Sequence, residues 1–228
     1  MGNVTRIGAL VGLPMEAAIL GRGFAGVAVQ IDIRCANADP ARAAAEAASL
    51  VRSGADLLLS FGFSGALDPA LRAGDLLLAD RVIGAGRILH ADAVARARLA
   101  AALAPGSRIL AGAILGVEQV IDRPAEKARL FAATRAMAVD MESLPLFAAA
   151  AGKPALALRA IADPAMRAIP RAALEALDPV GNIHIGKLLA ALARRPKDIA
   201  GLLALARDSA RAKATLSRAA LAAARGLV

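Results

Sequence analysis

The sequence has no tryptophan and no tyrosine, and only five phenylalanines, two histidines and one cysteine among 228 residues. So few aromatic side chains leave little for nucleobases to stack on, which argues against a nucleic-acid groove despite a formal net charge of +9. The lone cysteine, Cys35, excludes an internal disulfide framework and fits a reducing compartment. Without partners it argues against a zinc site and reads as a small packed hydrophobe. Long uncharged runs are missing too: stretches such as Leu57 to Leu67 fall well short of the ~18–20 apolar residues of a spanning helix. Met1 to Arg6 shows no basic cluster ahead of an apolar run and no small-residue cleavage site, so a cytoplasmic protein is expected.

What is present is 58% hydrophobic residues in a length that suits one compact domain, expected over 1–228. The charge is unevenly placed. Residues 1–152 carry 15 Lys+Arg against 14 Asp+Glu, and residues 153–228 carry 13 against 5, so the excess marks an electropositive face in the last third. Short Val/Ile/Leu runs alternate with Ala-rich stretches of helical length, the pattern of an α/β protein. Strands are predicted at Ile7 to Val11, Val27 to Ile33, Leu57 to Phe61, Leu76 to Ile83, Ile109 to Ile114, Ala136 to Val139 and Ala155 to Ile161. Helices are predicted at Met15 to Leu20, Ala41 to Arg52, Ala93 to Leu103, Ala125 to Ala133 and Glu142 to Ala151. After Asp163-Pro164 strands stop. Helices are expected over 170–177, 185–193 and Asp198 to Ala224, forming an extension (165–228) packed on the domain.

Ligand sites of open α/β sheets form at the carboxyl ends of strands, which directs attention to four clusters. These are Gly12-Leu13-Pro14-Met15-Glu16; Ser60-Phe61-Gly62-Phe63-Ser64-Gly65-Ala66-Leu67-Asp68-Pro69 with Gly74-Asp75; Val139-Asp140-Met141-Glu142-Ser143; and Leu158-Arg159-Ala160-Ile161-Ala162-Asp163-Pro164. Each also has an ordinary structural explanation. Glu16 and Glu142 sit where first helical turns favour acids, Asp140 suits an N-cap, Asp163 suits a turn before proline, and the glycines suit a turn with positive φ.

Taken together and in this order, the four segments resemble the purine nucleoside phosphorylase and methylthioadenosine/S-adenosylhomocysteine nucleosidase superfamily over most of residues 5–165. The resemblance implies a three-layer α/β fold with a central mixed sheet. It implies that Met141 and Glu142 contact a ribose, that Asp163 works at a purine, and that Phe63, Ser64 and Gly65 line the substrate. It implies self-association as well. Chemistry supports this division of roles. Breaking a ribose–purine bond pushes negative charge onto the base, which a carboxylic acid near N7 relieves. A carboxylate on the ribose hydroxyls binds more tightly as the sugar becomes cationic. Arg159, four residues before Asp163 on an extended chain, lies roughly 13 Å from it and reads as a positioning residue.

Phosphorylases of that superfamily hold phosphate with an arginine after the first strand and another before the glycine-rich loop. Here those regions hold Glu16 and Ser60, so a nucleosidase that uses water is the expectation, with Glu16 as a catalytic carboxylate. The water-activating glutamate of the nucleosidases aligns near Ala18, which leaves the identity of the base open. The tail segments Ala162-Asp163-Pro164-Ala165, Ile169-Pro170 and 178–183 resemble the hopanoid-associated branch, which removes adenine from adenosylhopane. No cofactor is expected, and no metal-ligand spacing is present.

The tail's Arg207, Arg211, Arg218 and Arg225 fall within about 40° on one helix, and Leu202, Leu205 and Leu216 point the other way. Such a helix either rests on anionic lipid or is a solvated face whose leucines pack on the domain. The alternatives are a phosphorylase using phosphate on the same substrate, a methylthioadenosine or S-adenosylhomocysteine nucleosidase, and, outside enzymes, a noncatalytic purine-binding module at a membrane surface. His90 is a weaker candidate for the substrate mouth, and His184 reads as structural.

Overall fold

The computed structural model describes residues 4–103, 108–168, 190, 194, 195 and 198–227. The helices expected over 170–177 and most of 185–193, together with His184, lie outside the described residues. In chain order the elements are β1 (Arg6–Val11), α1 (Pro14–Gly23), β2 (Gln30–Cys35), α2 (Pro40–Arg52), β3 (Leu57–Ala66), β4 (Leu76–Leu78), β5 (Arg81–Gly84) and β6 (Arg87–His90). There follow α3 (Ala93–Leu103), β7 (Ile109–Leu110), β8 (Ala113–Gly116), α4 (Pro124–Thr134), β9 (Ala138–Asp140), α5 (Ser143–Ala149), β10 (Ala155–Asp163) and α6 (Asp198–Gly226).

The strands form one mixed sheet, with β6-β5-β8-β9-β3-β10-β4-β7 in sequence and β2-β1 joined to β3. β3 is the hub. Its first half pairs with β1 in parallel, its far end pairs antiparallel with β9, and β10 runs parallel along its length. Alternation of side chains separates two apolar layers. Leu57, Leu59 and Phe61 of β3 pack with α1, α3 and α6 residues such as Ile19, Leu99 and Leu216, whereas Leu58 packs with Ala43, Ala47 and Leu50 of α2 and with Leu146 and Phe147 of α5. The three-layer α/β fold with a helical carboxyl-terminal extension is therefore present. α6 lies against α1, α3 and β10, burying Ala212, Thr215, Leu216, Ala219, Ala220 and Ala223 at helical spacing.

Several sequence-based bounds shift for physical reasons. The run predicted as one strand over Leu76 to Ile83 divides into β4 and β5, because the chain changes partners at Ala79-Asp80: β4 pairs with β10 and β7, β5 with β8 and β6. Ile109 to Ile114 divides in the same way into β7 and β8. The second strand begins at Gln30, three residues later than expected. The glycine-rich segment is not a turn: β3 continues through Phe63, Ser64 and Gly65 to Ala66, held by β10 on one side and β9 on the other. β6 was not foreseen. It is the exposed arm of a hairpin whose two loop residues, Ala85 and Gly86, both take positive φ.

Candidate active site

Three strand ends meet around Arg159. Cross-strand register sets Arg159 of β10 opposite Gly62 of β3, and the end of β9 brings Asp140 beside them. The Arg159 side chain is completely buried. Its Nε lies 2.6 Å from Asp140 Oδ2, and its Nη2 lies 3.3 Å from Glu142 Oε2 and donates to Ser60 Oγ at 2.6 Å. Ser143 Oγ, 3.4 Å from Nη2, in turn donates to Asp140 Oδ2.

Glu16 approaches the same centre from α1. As the third helical residue it reaches back so that Oε2 accepts the N–H groups of Leu13 and Gly12, both at 2.8 Å, and Oε1 accepts the N–H of Phe63 at 2.6 Å. Thus the ordinary explanation, an acid in a first helical turn, is true as far as it goes, but the carboxylate also ties the first strand's exit to β3. The close approach depends on missing side chains: a Cβ on Gly62 would stand 2.5 Å from Glu16 Oε1, and one on Gly12 would stand 2.7 Å from Glu142 Oε1. Ala18, by contrast, points to solvent. Of positions 16 and 18, only Glu16 faces the site.

Asp140, Glu142 and Glu16 bring three carboxylates to one guanidinium, all out of water. Burial raises the Glu142 carboxyl to about 7, Asp140 and Glu16 pushing the same way and Arg159 opposing. Burial also raises Glu16, against the pull of Arg159 and of the three N–H groups. The cluster therefore holds a proton over a substantial part of the neutral range. A carboxyl whose folded-state value is raised contributes stability that is complete below its ordinary value of 4.5 and is lost as pH rises through about 7. The melting temperature is expected to fall between pH 5 and pH 8 by more in the wild type than in Glu142→Gln. Parallel curves from scanning calorimetry of the two proteins would contradict this.

Asp163 ends β10 one bulge beyond this cluster. The register slips between Ile161 and Asp163, which turns the carboxylate towards Gly65, where a Cβ would lie 3.6 Å from Asp163 Oδ2. Gly74 and Asp75 brace this end through backbone bonds to Ile161 in both directions. Val139, Gly65 and Asp163 thus lie in one row across β9, β3 and β10, with Met141 and Glu142 directly after β9. Burial raises the Asp163 carboxyl, while Lys127 opposes the shift.

Of the residues singled out from sequence, Glu16, Glu142 and Arg159 converge in direct or electrostatic contact, and Phe63, Ser64, Gly65, Met141 and Asp163 line adjoining positions. The Ser64 hydroxyl is buried with no hydrogen-bond partner among the described residues. Arg159 and Asp163 do not pair with each other, as their spacing implied. Lys127 and Asp140 were missed. Asp140 looked like a plain cap, and it does accept the Ser143 N–H at 3.0 Å in addition to binding Arg159. His90 lies elsewhere: with Phe147 and Lys153 it lines a 320 Å³ cavity beside Ala155, at the end of β10 opposite Asp163.

No curated protein matches the chain by sequence. Among solved structures, the 5′-methylthioadenosine/S-adenosylhomocysteine nucleosidase of Neisseria meningitidis, in complex with methylthio-immucillin-A, is similar with a TM-score of 0.72 and 14% identity, covering 99% of this chain and 100% of that one. The Helicobacter pylori 5′-methylthioadenosine/S-adenosylhomocysteine nucleosidase (TM-score 0.65, 20% identity, 72% and 87% covered) and futalosine hydrolase of the same organism (0.65, 19%, 71% and 86%) are similar as well. At these identities the likeness is one of fold. The sequence model of the phosphorylase superfamily matches residues 26–194, most of the chain, so this protein belongs to the phosphorylase superfamily.

Proposed function

We propose that the chain is a purine nucleosidase that cleaves the N-glycosidic bond of an adenine nucleoside with water. The observation that carries this reading is the neutralisation of Arg159. The guanidinium at the heart of the site already faces Asp140 and Glu142 directly and Glu16 electrostatically, so an incoming phosphate would meet carboxylates. In the proposed reaction Asp163 gives its proton to the purine near N7 while the electron pair of the C1′–N9 bond passes to the base. Glu142 binds the ribose hydroxyls more tightly as the sugar becomes cationic, Met141 packs on the ribose, and Phe63, Ser64 and Gly65 border the nucleoside. Water adds to C1′ and its proton goes to Glu16, whose raised affinity for protons suits that role.

The substrate we favour is adenosylhopane, a lipid-linked nucleoside, on the strength of the tail's resemblance to the hopanoid-associated branch. The solvent face of α6 supports it. Arg207, Arg211, Arg218 and Arg225 are exposed there beside Ile199, Leu203 and Leu221, each about half exposed, a surface suited to the anionic cytoplasmic face of a membrane. No helix among the described residues is long and apolar enough to cross one. We also expect the chain to self-associate. A methylthioadenosine or S-adenosylhomocysteine nucleosidase is the second reading, favoured by the fold likeness spanning the whole chain. Incubating the protein with adenosylhopane and, separately, methylthioadenosine distinguishes them by chromatography of free adenine. Adenine is expected from adenosylhopane; adenine from methylthioadenosine alone would overturn the hopanoid reading.

A further inference from the structure

α4 turns a lysine inward. Lys127 lies on the helix face of Leu130 and Phe131, its i+3 and i+4 neighbours, and is the one buried residue that α4 contributes. Its side chain is 0% exposed. The ammonium donates to Asp163 Oδ2 and, at 3.3 Å, to the carbonyl of Pro164. Burying an ammonium is unfavourable unless it is paired, and packing alone would be satisfied by a methionine of similar length. Among the described residues its carboxylate partner is the very group assigned to the leaving base.

We propose that Lys127 is a positioning residue for the leaving-group acid: its ammonium holds Oδ2 of Asp163 and stabilises the carboxylate left when Asp163 hands its proton to the purine. This rests on the nucleosidase reading. With Oδ2 occupied, Oδ1 is the oxygen that meets the base. The Oδ1–H bond breaks, a bond from that proton to N7 forms, and the C1′–N9 electron pair moves onto the purine. Before the transfer Lys127 faces a neutral acid; afterwards it faces a full negative charge. The attraction is therefore greater late in the reaction than at rest, which is how a fixed charge lowers a barrier. Two further charges act on Asp163, Arg167 just after β10 and Asp208 on α6, but they form an ion pair with each other and their effects oppose. The directions at Asp163 agree with this arrangement: burial retains the proton and Lys127 draws it off.

The test compares wild type, Lys127→Met and Lys127→Arg by two readouts. The first is the titration of the Asp163 carboxyl by carbon-13 NMR, its resonance identified by its loss in Asp163→Asn. The second is the pH profile of kcat/KM for adenine release. Lys127→Met is expected to move the titration up by about one pH unit or more, to carry the alkaline limb of kcat/KM with it, and to lower kcat by about 10–100-fold. Lys127→Arg is expected to return the limb towards its wild-type place. A titration and a limb that stay where they were would overturn the proposal however far the rate falls, because a merely structural lysine slows turnover without moving either. If the wild type releases no adenine, the nucleosidase reading fails, and the NMR titration still decides whether Lys127 controls Asp163. Should Lys127→Met not fold, Lys127→Gln, which keeps a donor without the charge, is judged by the same two outcomes.

Discussion

Replacing Asp163 by asparagine is expected to lower adenine release by about 10²–10⁴-fold, the loss typical when a general acid is removed, while attachment to anionic vesicles persists. Asparagine fills the same space at the β10 bulge and can still donate a hydrogen bond, but it cannot deliver a proton to N7. The loss belongs in kcat, since the proton is needed only as the bond breaks. The substitution also leaves the Lys127 ammonium buried without its carboxylate, so the rate must be taken on protein whose circular dichroism shows it folded. Undiminished release would place the acid elsewhere. Loss of release with vesicle attachment kept separates an enzyme from a purine-binding module at a membrane surface, which would have no turnover to lose.

The second large effect is on stability. Arg159→Met is expected to destabilise the fold by about 3–5 kcal/mol, because it leaves Asp140, Glu142 and Glu16 in the interior with no positive charge among them. For a chain of this size that is roughly a 6–20 °C fall in Tm. Arg159→Lys keeps the charge but cannot reach Asp140, Glu142 and Ser60 from one planar group, so it should recover only part of the loss. Breaking one member of such a network differs from replacing the network whole, where apolar packing can compensate. A drop of less than about 1 kcal/mol in Arg159→Met would mean that the carboxylates take up protons readily and that the guanidinium is dispensable to the fold.

The elements legible in the sequence are those whose period or capping is strong. α2 and α3 lie within a residue of expectation, α2 because Asp39 accepts the N–H groups of Ala41 and Arg42 ahead of Pro40. What stayed hidden depended on partners distant in the chain. Leu76 to Ile83 is one apolar run, and nothing local says that its halves join different neighbours. β6 is only four residues long and largely exposed at a sheet edge, too short to show a hydrophobic period, although Gly84-Ala85-Gly86 holds the signal for a tight hairpin.

The site divides in the same manner. Glu16, Glu142, Arg159 and Asp163 are legible as candidates from ordered motifs at strand ends, but their wiring is not, because three separate strand ends supply the contacts. Asp140 reads as a cap in sequence; it does accept the N–H of Ser143, but the cap position of α5 is Glu142. Lys127 does not stand out in sequence, because a lysine in an Ala-rich helix ordinarily faces water. Its place in register with Leu130 and Phe131 was the available sign that it turned inward.

A carboxylate-surrounded guanidinium is proposed to direct the sugar to water. The measurement that tests this most directly is turnover of adenosylhopane in oxygen-18 water containing phosphate, with mass spectrometry of the sugar product. Free adenine and a ribosylated lipid carrying one oxygen-18 at C1′ are expected, at a rate indifferent to phosphate. A ribose 1-phosphate terminus, or release that requires phosphate, would contradict it.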